Sequence, residues 1–134
     1  MKKIKLPKII IIYTAFFGLF ALVSGIWGII DPMQKATSLN VTLNGSGLYT
    51  IFYFYSIRNF SFGVLFFLAL FKYRTKEVFL TIYITRFINN VCDGIAIFST
   101  GFDSINSIGL FTYIYIFILL IPIPFVIYYL DKKM

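Results

Sequence analysis

Histidine is absent from this 134-residue chain, cysteine occurs once, and five acidic residues stand against twelve basic ones. Without histidine the commonest general base and the commonest transition-metal ligand are gone, and most hydrolase and metalloenzyme chemistries go with them. The lone Cys92 belongs to no CxxC pair and to no metal-ligand spacing, and has no second cysteine to pair with. Charge is scarce too: Asp, Glu, Lys and Arg make up 13% of residues against 60% hydrophobic and 21% aromatic, with a mean hydropathy of +0.89. A soluble domain needs a charged surface that this composition does not supply, so the chain reads as an integral membrane protein.

What the chain has in abundance is long apolar runs. Residues 9–30, 48–71, 78–98 and 108–130 are each long enough to cross a hydrocarbon core of about 30 Å at about 1.5 Å per residue. The expected fold is all-α: one domain over residues 1–134, a four-helix transmembrane bundle with short loops and no soluble catalytic domain. Asp31-Pro32 closes the first run, because proline and the restraint it places on the residue before it oppose further helix. No internal repeat relates the two halves, which argues against an inverted-repeat transporter.

The basic residues lie in short clusters beside the runs rather than on one continuous face, so they read as orientation signals and not as a nucleic-acid footprint. Lys2, Lys3, Lys5 and Lys8 precede the first run, Lys72, Arg74 and Lys76 separate the second from the third, and Lys132 and Lys133 follow the fourth. The other side holds Lys35, with Asp31 and Asp103. By the positive-inside rule both termini are cytoplasmic, and the expected location is a bacterial cytoplasmic membrane. Trp27, Tyr49 and Tyr53 near the outer ends and Tyr13, Tyr73, Tyr128 and Tyr129 near the inner ends fit interfacial aromatic belts. A cleavable signal ending near Val23-Ser24-Gly25 is the alternative for the first run, which is longer than an ordinary signal core.

The loop at 31–47 is the one polar, turn-rich stretch. Asn44-Gly45 has the composition of a tight turn, and the segment is expected to be a flexible connector, with a small lid as the alternative. Asn40-Val41-Thr42 and Asn44-Gly45-Ser46 match the glycosylation triplet, a pattern that an Asn- and Thr-rich loop produces by chance.

Thr14, Gly18, Ala21, Gly25 and Gly28 form a small-residue seam along one face of the first run, with Ser56, Asn59 and Gly63 as a matching face on the second. Such seams let helix backbones approach closely in lipid. Packing within the chain is the expected use, and homodimerisation through the seam is the alternative. The fourth run has no seam; it is bulky and aliphatic, expected to face lipid and to kink at Pro122 and Pro124.

Against this apolar background stands a polar stripe. Arg86, Asn89, Asn90 and Asp93 are spaced by three, four and seven residues and so share one helical face of the third run. An ionisable group at such depth costs on the order of 3 kcal/mol unless paired or wetted. Arg58 and Asp93 both fall in the outer halves of their runs, and a pair between them, with Asn59 and Asn90 completing the hydrogen bonding, would neutralise two charges. Arg86, near mid-membrane, leaves one cation in excess. The excess suggests a pocket for an anionic or strongly accepting group: a lipid phosphate, a carboxylate or a quinone carbonyl.

These residues resemble a family of small four-span membrane proteins of unknown function, loosely DoxX-like. The resemblance covers about residues 18–100 and rests on Pro32, Arg58-Asn59 with Gly63, the basic loop of Lys72, Arg74 and Lys76, and Arg86 with Asp93. Asn59 stands where an acidic residue would also suit the pattern, and the fourth run carries no family feature. The resemblance implies a four-helix fold and lends no activity.

The expected function is binding of a lipid or other small ligand by Arg58, Asn59, Arg86, Asn89, Asn90 and Asp93, with the lipid bilayer as surroundings and no nucleic-acid partner. A structural or accessory subunit, whose cluster only fixes helix register beside another membrane protein, is the alternative. A small transporter is a second, disfavoured because the first run lacks a carboxylate. No enzyme activity, cofactor or metal is expected: Cys92 beside Asp93 has no base partner and reads as a buried structural cysteine.

Overall fold

The computed structural model describes residues 2–38, 43–100 and 120–134, without the side chains of Ser38 and of residues 96–100. Its elements are helices: α1 (Lys8–Ile30), α2 (Pro32–Ser38), α3 (Ser46–Phe71), α4 (Lys76–Thr100) and α5 (Pro122–Lys133). The first three apolar runs become α1, α3 and α4 with ends displaced by at most two residues. Of the fourth run, residues 108–119 lie outside the described residues, as do the triplet at 40–42 and the loop at 101–107. α1 and α3 are long and apolar enough to cross a membrane. The helices fall into two compact units, Leu6–Lys72 and Met1–Lys5 with Tyr73–Met134.

In the Leu6–Lys72 unit, α1 and α3 lie antiparallel with their backbones close together. A Cβ added at Gly25 would stand 2.5 Å from the backbone nitrogen of Phe60, and one at Gly63 would stand 2.7 Å from that of Leu22. Gly28 fits against the Ser56 hydroxyl and Gly18 against Phe66, so the register runs 28 to 56, 25 to 60, 22 to 63 and 18 to 66. Every residue of the predicted seam is buried, as are Ser56, Asn59 and Gly63 opposite. The seam therefore serves packing within the chain, because α3 occupies it. Phe17 and Phe66 close the interface edge to face, with ring centroids 5.1 Å apart. The buried hydroxyls are satisfied by their own helices: Thr14 Oγ1 donates to the Ile10 carbonyl and Ser56 Oγ to that of Phe52.

The start of the 31–47 loop is helical, which corrects the expectation of a flexible connector there. Asp31 closes α1, its N–H donating to the Trp27 carbonyl, and opens α2, its Oδ1 accepting from the N–H of Gln34 at 3.1 Å. Pro32 then occupies the first helical position, where its missing N–H is no loss. Gly45, with φ of +84°, turns the chain into α3 in a region that favours glycine. Ala36 of α2 packs with Leu43 and Phe52, with Tyr49 and Tyr55 beside them.

Lys35 is buried under this cap, 2% exposed, with its ammonium 4.7 Å from the centroid of the Trp27 ring. Burial lowers the pKa of its ammonium. The folded protein thus releases this proton at lower pH than the unfolded chain, so in the interval between the two pKa values the unfolded state binds more protons. The contribution of Lys35 to stability is least favourable below the depressed folded pKa and rises with pH until the ordinary lysine value of about 10.4 is passed. A melting series across the alkaline range should show the native protein gaining on Lys35→Met as pH rises. Parallel curves would refute the buried ammonium.

In the other unit, α4 and α5 are antiparallel. Lys76 Nζ, at the start of α4, donates to the Asp131 carbonyl at the end of α5, 3.0 Å away. Ile123, Val126 and Leu130 form the buried stripe of α5. Pro122 is the first residue of α5, so this proline stands at a helix start, where its ring costs nothing. The N-terminal stretch is tied to the same end by the Ile4 N–H, which donates to the Arg74 carbonyl at 2.9 Å.

Candidate functional site

α4 has two faces of opposite character. Phe79, Ile82, Tyr83, Arg86 and Asn90 are buried, at offsets of three, four, seven and eleven from Phe79, which is one continuous helical face. Ile84, Ile88, Val91 and Ile95 are exposed on the rest of the helix. Arg86 and Asn90 are thus turned inward, while the outward side carries these branched apolar side chains together with Thr81 and Thr85.

Arg86 is 2% exposed, Asn90 3% and Tyr83 0%. At 1.5 Å per residue Arg86 lies ~15 Å along the axis from Lys76, in the middle of the helix. The Tyr83 ring lies 6.4 Å from that of Phe79, extending the aromatic part of the face towards the guanidinium. Arg86 and Asn90 engage neighbouring groups, and each also keeps one nitrogen, Nε and Nδ2, shielded from water without an acceptor among the described residues. Asn89 and Asp93 flank this face and are half-buried. Asn89 Nδ2 donates to the Thr85 carbonyl at 3.0 Å, which ties the amide to its own helix. Four of the six predicted site residues are therefore on α4, with Arg86 and Asn90 at the centre and Asn89 and Asp93 at the margin.

The other two are on α3, in the other unit. Arg58 is half-buried, its guanidinium carbon 5.2 Å from the centroid of the Tyr55 ring one turn earlier. Asn59 is buried on the face that carries Ser56 and Gly63, so its position is one of packing against α1. The Arg58–Asp93 pair remains an expectation from the sequence.

One sequence reading is overturned. Cys92 is exposed, on the outward side of α4 beside Val91, and is not a buried structural cysteine. The inward face is set by positions 79, 82, 83, 86 and 90, and a residue two after Asn90 is carried past its edge by the helical rotation. The site also contains a residue that the polar stripe alone did not include: Tyr83, three before Arg86 and wholly buried. That spacing was the signal available for it.

Across the described residues, large apolar side chains are exposed on α1, α3 and α4, while Thr14, Ser56, Asn59, Arg86 and Asn90 are buried. Basic residues gather at one end of each helix pair, Lys8 and Lys72 where α1 begins and α3 ends, Lys76, Lys132 and Lys133 where α4 begins and α5 ends, with Lys35 of α2 at the other end of the first pair. In comparisons with known proteins, no family model, no curated protein and no solved structure matches this chain.

Proposed function

We propose that this chain is a four-span integral membrane protein with both termini cytoplasmic, and that the inward face of α4 binds an anionic or strongly accepting group. The observation that carries the proposal is the burial of Arg86 in mid-helix, between Tyr83 and Asn90, on a helix that exposes Ile84, Ile88, Val91 and Ile95. A guanidinium held away from water favours a delocalised, acceptor-rich group that can meet its planar fork of donors. A lipid phosphate, a carboxylate or a quinone carbonyl meets that need, and Asn90 adds an amide donor one turn away. Exposed apolar side chains on α1, α3 and α4 support the membrane setting. Basic residues gathered at one end of each helix pair support the orientation. The resemblance to loosely DoxX-like four-span proteins supports the span count and is itself part of the proposal.

Native mass spectrometry of the full chain in mild detergent tests the site. The native protein should retain a lipid or quinone adduct that Arg86→Leu loses and Arg86→Lys keeps in part. An adduct pattern indifferent to Arg86 would end the reading.

A second reading has its own support: the buried polar residues Thr14, Ser56 and Asn59 serve helix packing. Arg86 and Asn90 would then do the same in a structural or accessory subunit. That reading expects a co-purifying membrane partner and no small-molecule adduct.

A further inference from the structure

In the Met1–Lys5 and Tyr73–Met134 unit, three separate stretches of chain meet around one open cleft of about 570 Å³. Lys2, Lys3, Ile4 and Lys5 line one side, Lys76 and Glu77 another, and Met134 closes it. Four lysines thus face one glutamate around a single cavity, and Lys132 and Lys133 stand immediately before Met134.

The convergence is built by specific bonds. The Ile4 N–H bond to the Arg74 carbonyl holds the N-terminal stretch beside the turn into α4, and the Lys76 bond to the Asp131 carbonyl holds the start of α4 beside the end of α5. Ile4 is partly covered, whereas Lys2, Lys3 and Lys5 are exposed, so the backbone is anchored while the charges reach outward. As topology signals, basic residues need only lie on one side of the membrane. Gathering them from two stretches, the N-terminal one and the start of α4, around one concavity is a further property, and it makes a place for a multiply accepting anion.

We infer that this cleft is a headgroup site for anionic phospholipid of the cytoplasmic leaflet. The inference rests on the membrane reading above and is independent of the Arg86 site. A phosphodiester at the end of a helix bundle brings one negative charge and several acceptor oxygens to the level where these lysines emerge. Lysine ammonium groups there each add to the attraction of an anionic surface. Glu77 favours a headgroup that also carries hydroxyl donors, as a glycerol headgroup does, over a bare phosphate.

The test uses the full chain in neutral detergent, titrated with phosphatidylglycerol and with phosphatidylcholine of identical acyl chains, with adducts counted by native mass spectrometry. At low salt the anionic lipid should bind at least ~10-fold more tightly, and the preference should fall as salt is raised. Lys2→Gln, Lys3→Gln and Lys5→Gln together should abolish the preference, and Lys76→Gln alone should reduce it. Equal binding of the two lipids, or an undiminished preference in the triple variant, overturns the inference. So does competition by water-soluble glycerol phosphate at the same concentration as the lipid, which would identify a soluble anion as the occupant. Alkaline extraction of membranes separates this outcome from failure of the membrane reading. A chain released by the wash fails as a membrane protein, whereas a retained chain without lipid preference fails only as a headgroup binder.

Discussion

Gly25→Leu should destabilise the protein by ~3 kcal/mol or more, and Gly25→Ala should already be harmful. The reason is geometric. A Cβ at residue 25 would lie 2.5 Å from the Phe60 nitrogen, 2.8 Å from its Cα and 2.8 Å from its Cβ. Two of those atoms are backbone, so no rotamer change relieves the overlap; α1 and α3 must separate. Separation would strip dispersion contacts from the whole seam, including those of Gly18, Gly28 and Gly63. Gly94 is the control. Among the described residues nothing lies within 4 Å of a Cβ built there, so Gly94→Ala should be neutral or stabilise by ~0.5–1 kcal/mol through the helix propensity of alanine. Thermal or denaturant unfolding in detergent measures both. Equal effects at residues 25 and 94 would show that the close approach of α1 and α3 is not what holds the Leu6–Lys72 unit together.

That interface was legible in the sequence because its signal is local and repetitive. Small residues at spacings of three and four in a run of apolar ones mark the only face along which two backbones can meet, and the partner face of Ser56, Asn59 and Gly63 follows from the same spacing. Helix ends were legible where polar residues interrupt the runs. The start of α2 was missed for a different reason. Asp31-Pro32 carries two messages at once, a stop for α1 and a cap with proline at the first position for α2, and only the stop was taken from it. The burial of Lys35 then could not be foreseen, since it depends on α2 turning that side chain beneath the cap beside Trp27. The candidate site divides in the same way. Arg86 and Asn90 were identifiable because their spacing puts them on one face of one helix. Asn59 carries the same polar signature, yet it lies on the α1-facing side of α3, where packing accounts for it. Residue type and depth indicate that a polar group must be compensated; which neighbouring helix covers it is a tertiary fact.

Leu19→Arg is the substitution that separates a bilayer from water most sharply. Leu19 is the midpoint of α1, and its side chain is 55% exposed, pointing away from the α3 interface. On a soluble helix an arginine at such a position changes stability by no more than about 0.5 kcal/mol and improves solubility. At the centre of a bilayer the same side chain costs ~2.5–3.5 kcal/mol on insertion scales, because its stem cannot carry the guanidinium to either interface. The expected result is a clear loss of membrane-inserted protein and of thermal stability in lipid nanodiscs. Ile9→Arg, also exposed but at the end of α1, should cost much less, because the side chain can reach the headgroups. Unchanged stability with arginine at both positions would remove the membrane reading. The native chain offers the complementary case in Arg86, an arginine at comparable distance from its helix ends that is accommodated by burial on the inward face of α4. If the cost at residue 19 is large while Arg86 is tolerated, the difference is the free energy that the interior of this protein supplies to an arginine and the surrounding lipid does not.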